Sequence, residues 1–462
     1  SCLIAARAGA FCTLHDTTGG LSTSINGGTA NGENPPPETF RIHPIAGRWT
    51  GSVASGSAGG QGDPLTLTWG FVADGTGIVP TPSIPGESSD DSDLINFLDN
   101  ETNRDTASTG GTDLTQRAWF SVFEDSFARL SELSGLSFVY EPNDSGADIS
   151  SSTSLPQGSL GAVPDLRIGG HSIDGQSGPN TLAYNYFPNH GDMVIDTDNA
   201  SFFSGTSNDS RAFRNVVMHE VGHGLGFSHL ESSNGAFLME PSISTAFDGP
   251  QLDDILALHR NYGDANEKGS SNDSSANATS LGTISDGQTV SRGTNGATTF
   301  VDPLDVDFIS IDGDAGDGNL DLDYFSFTVS GPSEVDLLLT PKGPTYNEGP
   351  QGGTQTSLNT STLRDLTLQL FDTDGSSLLG TSNSNGAGGT ENLSNVALGP
   401  GTYFAAVSGT GTGTGDFVDT EVQLYQIDVA VTAVPEPATY ALGFIGLLAF
   451  GVISWRRVRQ SR

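Results

Sequence analysis

The sequence predicts an α+β domain, with a mixed twisted sheet and long helices, followed by an all-β sandwich and a C-terminal hydrophobic helix. Three patterns carry that reading. Up to about residue 265, strand-like runs alternate with stretches of helical spacing. From about 280 to 433, apolar and polar residues alternate between turn signals, as in sandwich strands. Ala438 to Trp455 is uncharged and apolar, close to the ~20 residues a membrane-crossing helix needs.

At 462 residues the chain has material for two or three domains. Its 18 basic against 55 acidic side chains give a net charge of −37, which excludes nucleic acid and anionic membrane surfaces as natural partners and favours dissolved cations, calcium among them. Sixty-one glycines, with many Ser, Thr, Asn and Asp, fit an exported, turn-rich protein. Cys2 and Cys12 are the only cysteines, so no disulfide framework holds the main body. The opening "SCLIAARAGAFC", with Ala8-Gly9-Ala10, reads as the tail of a secretory signal peptide; a short buried segment is the other reading.

In chain order, residues 1–45 are read as a leader remnant followed by a flexible pro-segment or linker, because "GGLSTSINGGTANGENPPPETF" is too polar to bury a core. Residues 46–265 form the first domain. "LTLTWGFV" is a strand, "TQRAWFSVFEDSFARLSELSG" sets Trp119, Val122, Phe123 and Phe127 on one helix face, and "LSFVY", "LAYNYF" and "DMVIDTD" are extended. "NEKGSSNDSSANATS" is a polar break, and residues 266–433 are the sandwich, with strands such as "DYFSFTVSG", "EVDLLLTP" and "EVQLYQIDVAV". Residues 434–462 hold "VPEP", the apolar run and a cluster of arginines that keeps the last residues cytoplasmic.

The chemistry concentrates in "VMHEVGHGLGFSHLESSNGAFLMEP". His219 and His223 are four apart and share a helix face, so both imidazoles can reach one cation while Glu220 stays beside it without ligating it. His229 reaches the same point only if the helix stops and the chain doubles back, for which Gly226 supplies the left-handed conformation. Gly222 and Gly224 each cost roughly 1 kcal/mol against Ala in a helix, so packing and metal must hold this helix. Three neutral imidazoles leave a fourth zinc position for water, whose proton Glu220 is placed to take. An amphipathic helix with surface histidines also produces HExxH. The longer HExxHxxGxxH, followed by Met239 and Pro241, is far more specific.

Over about residues 46–265 the sequence resembles the matrixin branch of the metzincin metallopeptidases, through "HEVGHGLGFSH", "FLMEP", "LTLTWGFV", "LSGLSFVYEPNDSGADI" and "LDDILALHRNYG". The resemblance implies zinc on His219, His223 and His229, Glu220 as general base, Met239 as the Met-turn residue under the metal, and a peptide substrate extended along an edge strand. Matrixins commonly hold a second, structural zinc. Here His171 and Asp174 have a different spacing, Tyr184 stands where a histidine is expected and Val194 replaces another, so that zinc is not supported. Asp174, Gly175 and Asp196 resemble a calcium site of the family, with Asn199 where a glutamate would complete it; a solvated acidic loop is the competing reading. Cys12 lacks the surroundings of an inhibitory pro-segment cysteine, and His43 reads as a surface histidine.

Pro435-Glu436-Pro437, the apolar run and the basic end resemble the PEP-CTERM sorting signal of Gram-negative bacteria; a permanent single-span anchor is the alternative. The resemblance implies export across the inner membrane, processing by an exosortase and release to the cell surface or extracellular matrix. Residues 270–432 resemble the bacterial pre-peptidase C-terminal domain through "NDSSANATSLG", "LTLQLFDTDGSSLLG" and "LGPGTYFAAVSG", which implies docking to surface polysaccharide, matrix or substrate, with a passive spacer as the other reading. Asp321 with Asp323, and Asp372 with Asp374, are calcium ligands or plain turn residues. The functional expectation is an exported zinc endopeptidase acting on proteins or peptides. A catalytically silent metzincin-fold adhesive protein is the alternative, and the intact Glu220 speaks for the enzyme.

Overall fold

The computed structural model describes residues 11–15 and 47–434, apart from 53–55, 58, 82–83, 85, 103, 105–110, 151–157, 159, 176–180, 314–320 and 413–420. The leader residues 1–10, the sorting residues Pro435, Glu436 and Pro437, and the C-terminal apolar run lie outside the described residues. Among the described residues no helix is long and apolar enough to cross a membrane.

Six strands form the first sheet: β1 (Phe11–His15), β2 (Leu65–Phe71), β3 (Leu136–Tyr140), β4 (Leu166–His171), β5 (Thr181–Tyr186) and β6 (Met193–Asp196), in spatial order β1-β5-β6-β4-β2-β3. β2 pairs in parallel with β3 and β4, β4 pairs in parallel with β6, and β5 turns antiparallel to β6. Every residue of β4, β5 and β6 is buried, as covered sheets require. Helices α1 (Phe120–Glu132) and α2 (Ser207–Gly224) pack on each other, and α3 (Leu252–Tyr262) closes this half. Helix spacing in the sequence places α1 correctly. Trp69 stacks on Phe127 with ring centroids 4.5 Å apart, and Phe71 meets Phe123 edge-on at 4.9 Å.

One expectation is corrected in part. Residues 11–45 read as a flexible pro-segment or linker, yet Phe11–His15 are a strand and pair antiparallel with β5 from Phe11 opposite Tyr186 to His15 opposite Thr181. The outer edge of β5 offers unpaired N–H and C=O groups, and a short extended segment satisfies them. A polar average over 35 positions hides so brief a strand.

After β7 (Leu230–Ser232) come β8 (Thr279–Thr283), β9 (Gln288–Arg292), β10 (Ser310–Ile311), β11 (Asp323–Val329), β12 (Ser333–Pro341), β13 (Thr345–Pro350), β14 (Thr356–Asn359), β15 (Arg364–Phe371), β16 (Leu378–Ser382), β17 (Glu391–Leu398), β18 (Gly401–Gly411) and β19 (Gln423–Ala433). They build a sheet β8-β11-β18-β15-β16 and a second sheet β9-β19-β12-β17, with β10 added to β19. Phe325, Phe327 and Leu368 of one sheet meet Val335, Leu337 and Val429 of the other in a single core. Burial alternates strictly along β11, which is why the strand was legible.

The hairpin β13–β14 does something else: β13 pairs with β7, so the second half adds strands to the first. Val301, Phe308, Tyr346, Leu358 and Leu424 accordingly share the core of Phe237, Leu252 and Leu256. The polar break at 266–280 is therefore spanned by packing on both sides, and within it Asn272 is buried.

Candidate metal centre

The first turn of α2 departs from helix geometry at Asn208, Asp209 and Ser210, whose φ values are 50°, 56° and 60°. Beyond it the helix carries His219, Glu220 and His223, all buried, into the middle of the molecule. It ends at Leu225. Gly226 has φ 106°, and a Cβ there would stand 1.9 Å from the Gly47 carbonyl oxygen, so both the turn and the close approach require glycine. The chain then doubles back and delivers His229, as the spacing predicts.

The glycines inside the helix have separate reasons. A Cβ on Gly222 would come within 2.5 Å of the Met239 sulfur, so the bare backbone lets the methionine lie against the helix beside the histidines. A Cβ on Gly224 would meet the Asn185 amide at 2.8 Å, and Trp49 donates its indole N–H to the Gly224 carbonyl at 2.7 Å. Tertiary packing thus offsets the low helix propensity.

Each histidine has its Nδ1 turned to an oxygen. His219 donates to the Leu238 carbonyl at 2.7 Å, His223 to the Phe227 carbonyl at 2.6 Å, and His229 to Oε1 of Gln351 at 2.9 Å. A carbonyl only accepts, so the proton sits on Nδ1 and Nε2 carries the lone pair that can ligate a cation. The three Nε2 atoms converge, that of His229 lying 3.2 Å from each of the other two. Three lone pairs facing one another repel unless a cation lies among them, and these side chains form a group fit to hold one. Glu220 lies beside them with both carboxyl oxygens buried and without a hydrogen-bond partner. Burial pushes its pKa well up; a cation next to it would favour the carboxylate.

Met239 and its neighbours are fixed from α3. Asp254 accepts the N–H groups of Leu238 at 2.8 Å, Met239 at 3.1 Å and Gln251 at 2.8 Å, while the Met239 carbonyl accepts from Leu230 N–H at 3.1 Å. Pro241 follows in the same turn, half-buried. Asp254→Ala strands three buried donors, and unfolding in denaturant is expected to show a loss of roughly 3 kcal/mol. An unchanged midpoint would contradict this role of Asp254.

The other predicted sites turn out differently. His171 lies on Oε1 of Glu87 at 3.0 Å, and Tyr184 donates its hydroxyl to the same oxygen at 2.8 Å. A protein hydrogen-bond network thus fills the place where a structural zinc was not supported. Glu87 had no sequence signal. Asp174 and Asp196 are neighbours, Asp174 helping burial to raise the Asp196 pKa to about 7. The Asn199 amide, however, donates both to Asp196 Oδ2 at 2.9 Å and to the Thr181 carbonyl at 3.0 Å. It thus ties these two oxygens together within the protein, and Gly175 turns the chain, with φ 65°. Asp374 caps its own turn through Ser376 and Ser377 N–H. A denser acidic group sits at the junction of the two halves, where Glu267, Asp321 and Asp323 bring ligand atoms within 4.8 Å of one another.

A buried HExxH helix, a third histidine beyond a glycine turn and a methionine packed against that helix thus gather three imidazoles that could hold one metal ion. Residues 106–263 match the family model described as Matrixin, and residues 433–459 match the PEP-CTERM protein-sorting motif. The chain carries a matrixin domain and a PEP-CTERM sorting motif, which imply a metallopeptidase with a catalytic zinc and membrane-associated sorting during export in Gram-negative bacteria. No curated protein matches the chain. Among solved structures it is similar to the pre-peptidase C-terminal domain of a collagenase from Bacillus anthracis, with 15% identity, 34% of this chain and 96% of that one covered, and a TM-score of 0.18. It is also similar to PliG, a periplasmic inhibitor of g-type lysozyme from Aeromonas hydrophila, at 9% identity, 34% and 99% coverage and a TM-score of 0.16. A beta-glucosidase from Paenibacillus barengoltzii shows 13% identity, 33% and 11% coverage and a TM-score of 0.16.

Proposed function

We propose that the protein is an exported zinc endopeptidase that hydrolyses internal peptide bonds, with His219, His223 and His229 holding the metal and Glu220 acting as general base. The observation that carries this reading is the convergence of three Nε2 lone pairs beside a buried carboxylate that has no other partner. The three imidazoles would hold the zinc, which when bound would supply a Lewis acid able to polarise a carbonyl and to lower the pKa of water towards ~7. Glu220 takes the proton from the attacking water at its carboxylate and returns it to the leaving amine nitrogen. No covalent intermediate is needed.

Substrate is expected to add as a strand to the outer edge of β5, whose end approaches the centre: the Phe187 ring meets the His223 ring edge-on at 5.8 Å. That edge carries Phe11–His15, so this segment and a substrate strand exclude each other. The sorting motif supports processing by an exosortase, and this reading adds release to the cell surface or extracellular matrix. Digestion of an unfolded protein, with the new termini read by mass spectrometry, tests the activity. Internal cuts that a chelator abolishes support it; trimming from the ends alone, or cuts insensitive to chelation, contradict it.

Calcium belongs to this reading at the domain junction rather than at Asp174 and Asp196. Asp323 accepts from Asn272 Nδ2 at 2.7 Å, while Asn272 Oδ1 and Asp321 Oδ1 are buried and unpartnered. Burial, and then neighbouring carboxylates, raise the pKa of Glu267 and of Asp323. A carboxyl whose folded pKa is raised stabilises the fold at low pH, and that contribution is lost as pH climbs above the ordinary carboxylate range. Without a cation, thermal stability is therefore expected to fall as pH rises above ~5. Calcium is expected to flatten the slope, and Asp321→Asn to remove calcium's effect on melting.

A further inference from the structure

The second half of the chain reaches the metal centre itself. β13 pairs antiparallel with β7, the strand that follows His229, with Glu348 opposite Ser232, Gly349 opposite Glu231 and Pro350 opposite Leu230. Beyond Pro350 the chain reverses in a tight turn: Gly353 N–H donates to the Pro350 carbonyl at 2.8 Å, with Gln351 and Gly352 between them. Gly352, the third residue of the turn, has φ 69°, a left-handed value that glycine adopts without steric cost. Its N–H is also tied across to the Glu231 carboxylate at 3.1 Å. The turn is thus fastened to the strand beside His229, and it aims Gln351 at that histidine.

We propose that Gln351 is a positioning residue of the zinc centre, so that the β-sandwich half is a working part of the peptidase. The inference rests on the zinc peptidase reading above. His219 and His223 are oriented by main-chain carbonyls of the Leu238 and Phe227 segments, which belong to the first half. His229 is oriented by the Gln351 side chain, 122 positions away in sequence, whose Oε1 accepts the Nδ1 proton at 2.9 Å. That bond fixes the tautomer and the ring angle, leaving the Nε2 lone pair directed at the point where the other two converge. Tyr346, at the other end of β13, donates its hydroxyl to Asp253 on α3 at 2.5 Å and anchors the base of the hairpin next to Asp254, which holds the Met239 turn. The same hairpin therefore braces two walls of the site.

The test uses the full chain and measures zinc affinity by chelator competition, with the visible spectrum of the cobalt-substituted protein as a second readout. Loss of a hydrogen bond behind a metal-bound imidazole typically weakens metal binding by ~10–100-fold. Gln351→Ala is expected to weaken zinc by that factor and to alter the cobalt spectrum. Gln351→Glu keeps an acceptor for the Nδ1 proton and is expected to restore both to the parent's values or better. The melting temperatures of the zinc-free variants are expected to match the zinc-free parent, which separates orientation of His229 from a purely structural role. Parent-like zinc affinity in Gln351→Ala, or equal weakening by Ala and Glu, would overturn the proposal while leaving the peptidase reading intact. A parent chain that binds no zinc would sink both.

Discussion

Glu220→Ala is expected to lower kcat/KM for an unfolded protein substrate by ~10²–10⁴-fold while the protein keeps its full complement of zinc. The separation follows from where Glu220 sits. It is one step round the helix from His219, wholly buried, and has no hydrogen bond that its loss would break. Truncation therefore removes a proton acceptor without disturbing the imidazoles. Glu220→Gln keeps the shape and is expected to be about as inactive. If the zinc is retained and activity falls by less than about tenfold, proton transfer does not depend on this carboxylate.

The second large effect concerns Gly226. Replacement by Ala places a Cβ 1.9 Å from the Gly47 carbonyl oxygen and forces a side chain into φ 106°. Both contributions are unfavourable: a non-glycine residue at positive φ costs roughly 1–2 kcal/mol, and forcing an atom into a packed region costs about 1–3 more. Gly226→Ala is expected to lose roughly 3 kcal/mol in denaturant unfolding. It is also expected to lower zinc affinity, because this turn carries the chain to His229. Parent-like unfolding would show that the Gly47 segment yields freely.

How much of this was legible in the sequence depended on whether the cause was local. The helix face of Trp119, Val122, Phe123 and Phe127, the strict alternation in β11 and the stop at Gly226 are set by residues near one another in the chain, so spacing revealed them. The roles of Gly222 and Gly224 were not legible, since the atoms that exclude a side chain there come from Met239 and Asn185. Tyr184 could be recognised as a departure from the matrixin pattern. That Glu87 would join it and His171 in a hydrogen-bonded network could not. The hairpin β13–β14 escaped for another reason: "TYNEGPQGGTQTSLN" has the composition of a loop, and its strands are defined by pairing, β13 with β7 and β14 with β13. Gln351 followed it out of sight.

The central claim is that zinc on three histidines, with Glu220 beside it, cuts peptide bonds. The most direct measurement is a zinc titration of the metal-stripped protein, following bound metal and hydrolysis of an unfolded substrate together. It should be run on the full chain, on a chain starting at Ala46 that frees the β5 edge, and on Glu220→Ala. Hydrolysis that rises in step with the first zinc bound, in the parent chains but not in Glu220→Ala, is the expected result. Zinc that binds fully to all three while none of them cuts would contradict the claim and make this domain a binding module.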